Sequence, residues 1–194
     1  MSVTITPIEV HLTVTAEAPA ELDTLASFAA AHGLRLARIV LDAGLHPVQP
    51  MLSWRQEGGL PEAHARCGAV AASLEPLGLR VVRLKVETGI DEAAPTPPVY
   101  FEGHFKVRLE PYRLRRLAHT AAELGAHLSA NAHATTDVFE ERFLTVRAPD
   151  APAARRRFAD TAAGLEARGW SLCGAHEEAV LFDSNLALDR GWIR

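Results

Sequence analysis

Apolar and polar residues alternate along Tyr100-Phe101-Glu102-Gly103-His104-Phe105-Lys106-Val107-Arg108, the period of a strand with one buried face and one open face. Phe101, Phe105 and Val107 fall on the apolar side, while Glu102, His104, Lys106 and Arg108 share the other. Ile8-Glu9-Val10-His11-Leu12-Thr13-Val14 has the same form, again with Glu-x-His on its polar side. The pattern then changes period. From Pro19 to His32-Gly33, Leu25, Phe28 and Ala29 recur at helical spacing, and the glycine stands where a left-handed cap closes a helix. Leu34 to Leu41 reads as a strand, Gly44 to Pro50 as a loop, and Met51-Leu52-Ser53-Trp54-Arg55 as an alternating strand. A helix follows from near Pro61 to Gly78, then a strand from Val81 to Glu87. Strand, helix, strand, strand, helix, strand is the split βαβ, or ferredoxin-like, order.

Beyond the Pro-rich stretch Asp91 to Pro98 the same order returns. The strand centred on His104 leads to a helix carrying Leu114, Leu117, Ala121 and Leu124, which closes at Gly125. Strand-like His127 to His133, the turn Thr135-Thr136-Asp137 and the strand Arg142 to Arg147 follow. Asp150 and Pro152 open a last helix that ends at Gly169, and a final strand runs from about Leu172 to Phe182. The spacing is nearly constant: 104 − 11 = 93 between the first-strand histidines, and 169 − 78 = 91 between the glycines that end the second helices. The chain therefore predicts an α+β fold, a tandem duplication of a ferredoxin-like βαββαβ module. Residues 1–92 form the first module, 93–98 the linker, and 99–194 the second module with a C-terminal tail. Helices cover one sheet face in such a module, so the two open faces, packed toward each other, would enclose a polar cavity.

Strand alternation assigns the residues of that open face. They are Glu9, His11 and Thr13; Ser53 and Arg55; Arg83, Lys85 and Glu87; Glu102, His104, Lys106 and Arg108; Thr145 and Arg147; and His176 and Glu178. The second strand of the second half adds His127, Ser129, Asn131 and His133, where its counterpart has Arg35, Ala37 and Ile39. Lys85 and Lys106 are the only lysines in the chain, and both fall on this face. The expected ligand is a small anionic, phosphate-bearing molecule between the modules. Arg55, Arg147, Lys85 and Lys106 would hold it by charge-assisted hydrogen bonds, with Thr13, Thr145 and His176 as further ligand-binding groups. His11 and His104 would be the catalytic acid–base pair of a His-dependent phosphoesterase or phosphohydrolase. One alternative is a divalent-metal enzyme in which the histidines join Glu87, Glu102 or Glu178 as ligands. Another is a non-catalytic binding or protein-interaction module whose charges pair among themselves. The residues name no cofactor.

Three resemblances attach to these residues. His11-Leu12-Thr13-Val14 resembles the His-x-Thr-x motif of the two-histidine phosphoesterases, whose two related lobes each supply one histidine for acid–base attack on a cyclic phosphate; the second copy here, His104-Phe105-Lys106-Val107, has lysine in the hydroxyl's place. Glu102-Gly103-His104-Phe105-Lys106 is similar to the Glu-x-Glu-x-Lys signature of the triphosphate tunnel enzymes, which implies a triphosphate and a divalent metal. His11, Glu87, His104 and Glu178 follow an order similar to the metal ligands of vicinal oxygen chelate enzymes, although those modules carry one helix each.

Composition narrows this picture only slightly. The hydrophobic fraction is 48%, the charged fraction 23% and the formal net charge −4, with no basic block, so nucleic acid is not expected as a partner. No membrane-spanning run is present, and Met1-Ser2-Val3-Thr4 lacks the features of a signal peptide, so the cytoplasm is the expected location. Cys67 and Cys173 read as small, reduced core residues, and His32, His46, His64 and His119 as surface residues. The tail's Trp192 and Ile193 are costly to leave in water; it should fold back across the module junction or meet a second subunit in a homodimer.

Overall fold

The computed structural model describes residues 7–92, 94, 96–132 and 139–193. In chain order the elements are β1 (Ile8–Thr15), α1 (Pro19–Ala31), β2 (Arg35–Leu41), β3 (Val48–Gln56), α2 (Leu60–Leu74) and β4 (Arg80–Gly89). After these come β5 (Tyr100–Leu109), α3 (Leu114–Glu123), β6 (His127–Asn131), β7 (Glu140–Ala148), α4 (Ala151–Ala167) and β8 (Leu172–Asp183). Single 3₁₀ turns occupy Glu75–Leu77, Pro111–Arg113 and Leu186–Asp189. Local chemistry sets the helix ends. The Glu21 carboxylate accepts from the backbone N–H groups of Glu17 (2.8 Å) and Ala18 (3.0 Å), and Asp150 caps α4 by accepting from the Ala153 N–H at 2.8 Å. Beyond each helix the chain turns at a glycine with φ between 61° and 77° (Gly33, Gly78, Gly125 and Gly169) before the next strand begins.

All pairings between these strands are antiparallel, and the strands close into one barrel in the order β1-β3-β2-β6-β7-β5-β8-β4. The two open faces, expected to pack toward each other, are the inner surface of this one closed sheet. The outer strands of the two halves hydrogen-bond, β2 to β6 from Ile39↔Asn131 to Leu41↔Ser129, and β4 to β8 from Lys85↔Asp183 to Gly89↔Glu178. Closure gives each of the eight strands a neighbour on both sides, so none presents an edge of unpaired N–H and C=O groups, which is the physical reason to prefer it over two open sheets.

The helices lie outside. Val10, Leu12 and Val14 point outward into an apolar cluster with Leu25, Phe28 and Leu74. Phe101, Phe105 and Val107 do the same in a second cluster with Leu117, Phe158 and Leu165. Gly103 interrupts β5 because Phe158 covers it: a Cβ there would lie 2.7 Å from the phenyl ring. With the apolar residues turned out toward the helices, the alternate residues must turn into the barrel.

Two further expectations change. Cys173 is exposed rather than a core residue. The β5–β8 register shifts between Lys106 and Val107, so Cys173 falls opposite no partner, and its thiol reaches the Lys106 carbonyl at 3.4 Å. Cys67 packs half-buried on the first cluster, where burial pushes its thiol pKa up. Strand β6 stops at Asn131; His133, the Thr135-Thr136-Asp137 turn, Ala93 and Pro95 of the linker, and Met1 to Thr4 lie outside the described residues. His32, His46, His64 and His119 are exposed. Among the described residues no helix is long and apolar enough to cross a membrane.

Candidate functional site: the barrel interior

A cavity of about 300 Å³ occupies the barrel. Its two sides differ. Strands β1, β4, β5 and β8 contribute His11, Arg83, Lys85, Glu87, Glu102, His104, His176 and Glu178. Strands β2, β3, β6 and β7 supply Ala37, Ile39, Leu41, Met51 and Phe143 together with the uncharged polar Gln49, Ser129, Asn131 and Thr145, and the tail adds Trp192 and Asp189. The expected polar interior is thus two-sided, charged on one side and uncharged, with apolar and neutral polar residues mixed, on the other.

Each first-strand histidine stands between a hydroxyl and a carboxylate. His11 Nδ1 lies 2.8 Å from Ser53 Oγ on β3, its register partner, and His11 Nε2 lies 2.5 Å from Glu87 Oε1 on β4. His104 repeats the arrangement, with Nδ1 2.9 Å from Thr145 Oγ1 on β7 and Nε2 3.3 Å from Glu178 and 3.6 Å from Glu102. Hydroxyl, imidazole and carboxylate in series is the order of a nucleophile triad. Two observations weigh against that chemistry. Ser53 is buried and does not line the cavity. Thr145 does line it, but His104 is held as an imidazolium: burial opposes its charge, yet the hydrogen bonds and charges of Glu102 and Glu178 outweigh it and push the pKa up to about 10. A base already protonated at neutral pH cannot take the hydroxyl's proton.

The remaining interior charges form one network. Lys85 Nζ sits between Glu102 and Glu87; the Glu87 contact, at 2.7 Å, is an ion pair by distance but is not aligned as a hydrogen bond. Burial works against the Lys85 charge, but Glu102 and Glu87 hold its pKa well above the ordinary lysine range. Burial would by itself raise the Glu102 pKa, and Lys85, His104 and Arg147 instead hold it well below the usual carboxylate range. Glu87 is lowered in the same way, by Lys85 and His11 against burial. Arg83 forks onto two carboxylates, Asp183 at 2.5 and 2.9 Å and Asp189 at 2.9 and 3.0 Å. Arg147 bonds Glu102 at 2.6 Å and Asp189 at 2.9 Å and lies over the Tyr100 ring, whose hydroxyl donates to Asp183.

Of the residues singled out from the sequence, His11, Thr13, Lys85, His104, Thr145 and His176 line the cavity, whereas Arg55, Lys106 and Arg147 do not. Arg55 lies at the rim, bonded to Glu9 at 2.8 Å, and Arg35 reaches the same carboxylate. Lys106 pairs with Glu141 at 2.6 Å. The four cations expected to hold a phosphate are thus neither gathered in one place nor free of carboxylates. Lys85 and Arg147 are largely buried, where an unpaired charge is expensive, while Arg55 and Lys106 pair nearer the surface. For the metal alternative, no group of three or more His, Cys, Asp or Glu side chains among the described residues is arranged to hold an ion.

The tail supplies what sequence reasoning missed. After Asp183 the chain turns back, and its 3₁₀ turn places Asp189, 4% exposed, between Arg83 and Arg147. Trp192 is buried against the cavity; its indole N–H donates to the Leu128 carbonyl, and Gln49 donates to the Leu188 carbonyl. Folding back within the chain was legible from Trp192, but nothing in the sequence marks Asp189 as the partner of two arginines. At the other end a second depression, lined by Glu9, Arg55, Gly89 and Glu177, shares Glu87, His176 and Glu178 with the cavity.

No protein-family model matches the chain, and no curated protein matches it. Among solved structures it is similar to the small subunit of acetolactate synthase from Thermotoga maritima (14% identity, TM-score 0.33, 92% of this chain and 96% of that one). It is also similar to two proteins from Thermus thermophilus, the regulatory subunit of aspartate kinase (14%, 0.31, 84% and 95%) and a heme-binding protein (10%, 0.30, 92% and 92%). Identities and TM-scores this low transfer neither fold detail nor chemistry.

Proposed function

We propose that the protein binds one small organic molecule inside the barrel, and that the charged network shapes and rigidifies the chamber rather than performing acid–base catalysis. The observation that carries this reading is the two-sided cavity itself, an uncharged surface of apolar and neutral polar residues facing a set of ions already paired with one another. Its volume, about 300 Å³, is at the lower end of small-molecule pockets. It is equivalent to the liquid volume of about ten waters, or to one ring compound of roughly ten non-hydrogen atoms. The phosphate reading has less support, because an anion would have to displace Glu87, Glu102, Asp183 or Asp189 from a buried cation. The same geometry supports reading 1–92 and 99–194 as two copies of one unit. Glu9, His11, Ser53, Arg55 and Glu87 have as counterparts Glu102, His104, Thr145, Arg147 and Glu178 on the corresponding strands.

Methionine offers a direct test. The chain has two, and Met51 lines the cavity while Met1 precedes β1. In protein labelled at the methionine methyl carbon, titration with indane or 2-indanol should shift the Met51 resonance saturably and leave Met1 in place. Ala37→Phe, which fills the chamber, should abolish the response. If Met51 stays unmoved by these compounds and responds instead to inorganic phosphate, the chamber is not an organic-ligand site.

A further inference from the structure

The strongest unexplained feature of the cavity is a set of hydroxyls. Thr13 on β1 is 6% exposed and Ser129 on β6 is 7% exposed; both line the cavity, and neither hydroxyl has a hydrogen-bond partner among the described residues. A third hydroxyl, Thr145 Oγ1, accepts from the protonated His104 ring and so keeps its own proton to donate. The Thr13 and Ser129 hydroxyls thus face the cavity rather than a protein partner, and Thr145 has a proton left to give, so all three are available to a molecule bound there. The ions are not. Arg83, Lys85 and His104 each already contact two carboxylates, so an anion brought into the cavity would have to break a buried pair, and a cation would have to share a carboxylate that already serves one. Between Thr13 and Ser129 the barrel presents Met51, Ala37, Ile39 and Leu41 with the Gln49 side chain beside Ile39, a mainly apolar strip with a hydroxyl on either side.

We infer that the ligand class is an uncharged ring compound bearing hydroxyl or carbonyl groups, its carbocycle on the β2–β3 strip and its oxygens met by Thr13, Ser129 and Thr145. This rests on the organic-ligand reading of the chamber and adds what the ligand must carry. A neutral hydroxyl or carbonyl meets the available hydroxyls without disturbing the network, whereas a carboxylate or phosphate must displace a paired carboxylate and an amine must share one.

The full-length chain can be titrated with four compounds of nearly equal size: indane, 2-indanol, 2-aminoindane and indane-2-carboxylate. Affinity is read by calorimetry and by the Met51 methyl shift. The expected order places 2-indanol at least tenfold tighter than the other three. Thr13→Val combined with Ser129→Ala, which removes both unpartnered hydroxyls at little change in volume, should erase that preference while leaving indane binding in place. The class assignment fails if either charged compound binds as tightly as 2-indanol. It also fails if indane equals 2-indanol in the unmodified chain, or if the double variant keeps the preference. Absence of saturable binding by all four, with Met51 unmoved, would instead overturn the chamber reading itself.

Discussion

Two ion pairs occupy the same register in the two halves of the molecule. Glu9 faces Arg55 across β1 and β3, and Glu102 faces Arg147 across β5 and β7. The first lies at the rim, with 73% of the Arg55 side chain exposed; in the second, Arg147 is 19% and Glu102 4% exposed. The side-chain chemistry is identical, so the difference comes from the surroundings. The C-terminal tail folds over the second pair and adds Asp189, while the first pair keeps its arginine in water. The tail thereby covers one barrel end and leaves the pair at the other end exposed. An exposed charged pair can remain hydrated, but a covered pair must be matched fully, and Lys85, Arg83 and Asp183 belong to that matching.

The comparison predicts a graded series. Deleting residues 184–194 should have the largest effect, at least about 5 kcal/mol of lost stability, because it exposes the Trp192 contact and strips Asp189 from two buried arginines. A denaturant titration that shows no loss would remove the tail from this account. Next comes Glu102→Gln, which leaves Lys85 and Arg147 partly unpaired and should cost about 3–5 kcal/mol. The matching change at the exposed end, Glu9→Gln, should cost about 1 kcal/mol or less, since its arginines are mostly solvated. Equal losses from the two substitutions would break the comparison.

Proton linkage gives a smaller but cleaner readout. The pKa of His104 rises on folding from about 6.5 to about 10. Its stabilising contribution is fully present below pH 6.5, declines as pH climbs through that interval, and is gone above about 10. His104→Gln should flatten the alkaline loss of stability between those limits. Nuclear magnetic resonance should find no titration of the wild-type His104 ring between about pH 6 and 8. For Glu102 the sign is opposite. Its pKa is lowered on folding, so its contribution is present above about pH 4.5 and lost as pH falls below it. Glu102→Gln should therefore reduce the steepness of acid unfolding more than Glu9→Gln does.

Much of the interior was legible as alternation. Once Val10, Leu12 and Val14 are assigned to the helix side, Glu9, His11 and Thr13 must take the other, and Phe101, Phe105 and Val107 place Glu102 and His104 likewise. Alternation reports a face but not a neighbour. It put Lys106 and Arg55 on the correct face, yet Lys106 lies too far along β5 and Arg55 too near the rim to line the central cavity. Nor could it weigh the uncharged side: Met51 and Phe143 read as ordinary strand residues, and only closure of the sheet turns them onto one shared space.

What the chain determined alone was the local order of strands and helices, the glycines that end the helices, and which side chains share a face. These follow from φ/ψ limits and from periods of two and 3.6 residues, which act between near neighbours. Tertiary structure decided the pairing of β2 with β6 and β4 with β8, the burial of Asp189 between two arginines about forty and one hundred residues away, and therefore which carboxylate each cation meets. Those outcomes depend on which distant groups come together out of water, where an unmatched charge is costly, and no local pattern carries that information.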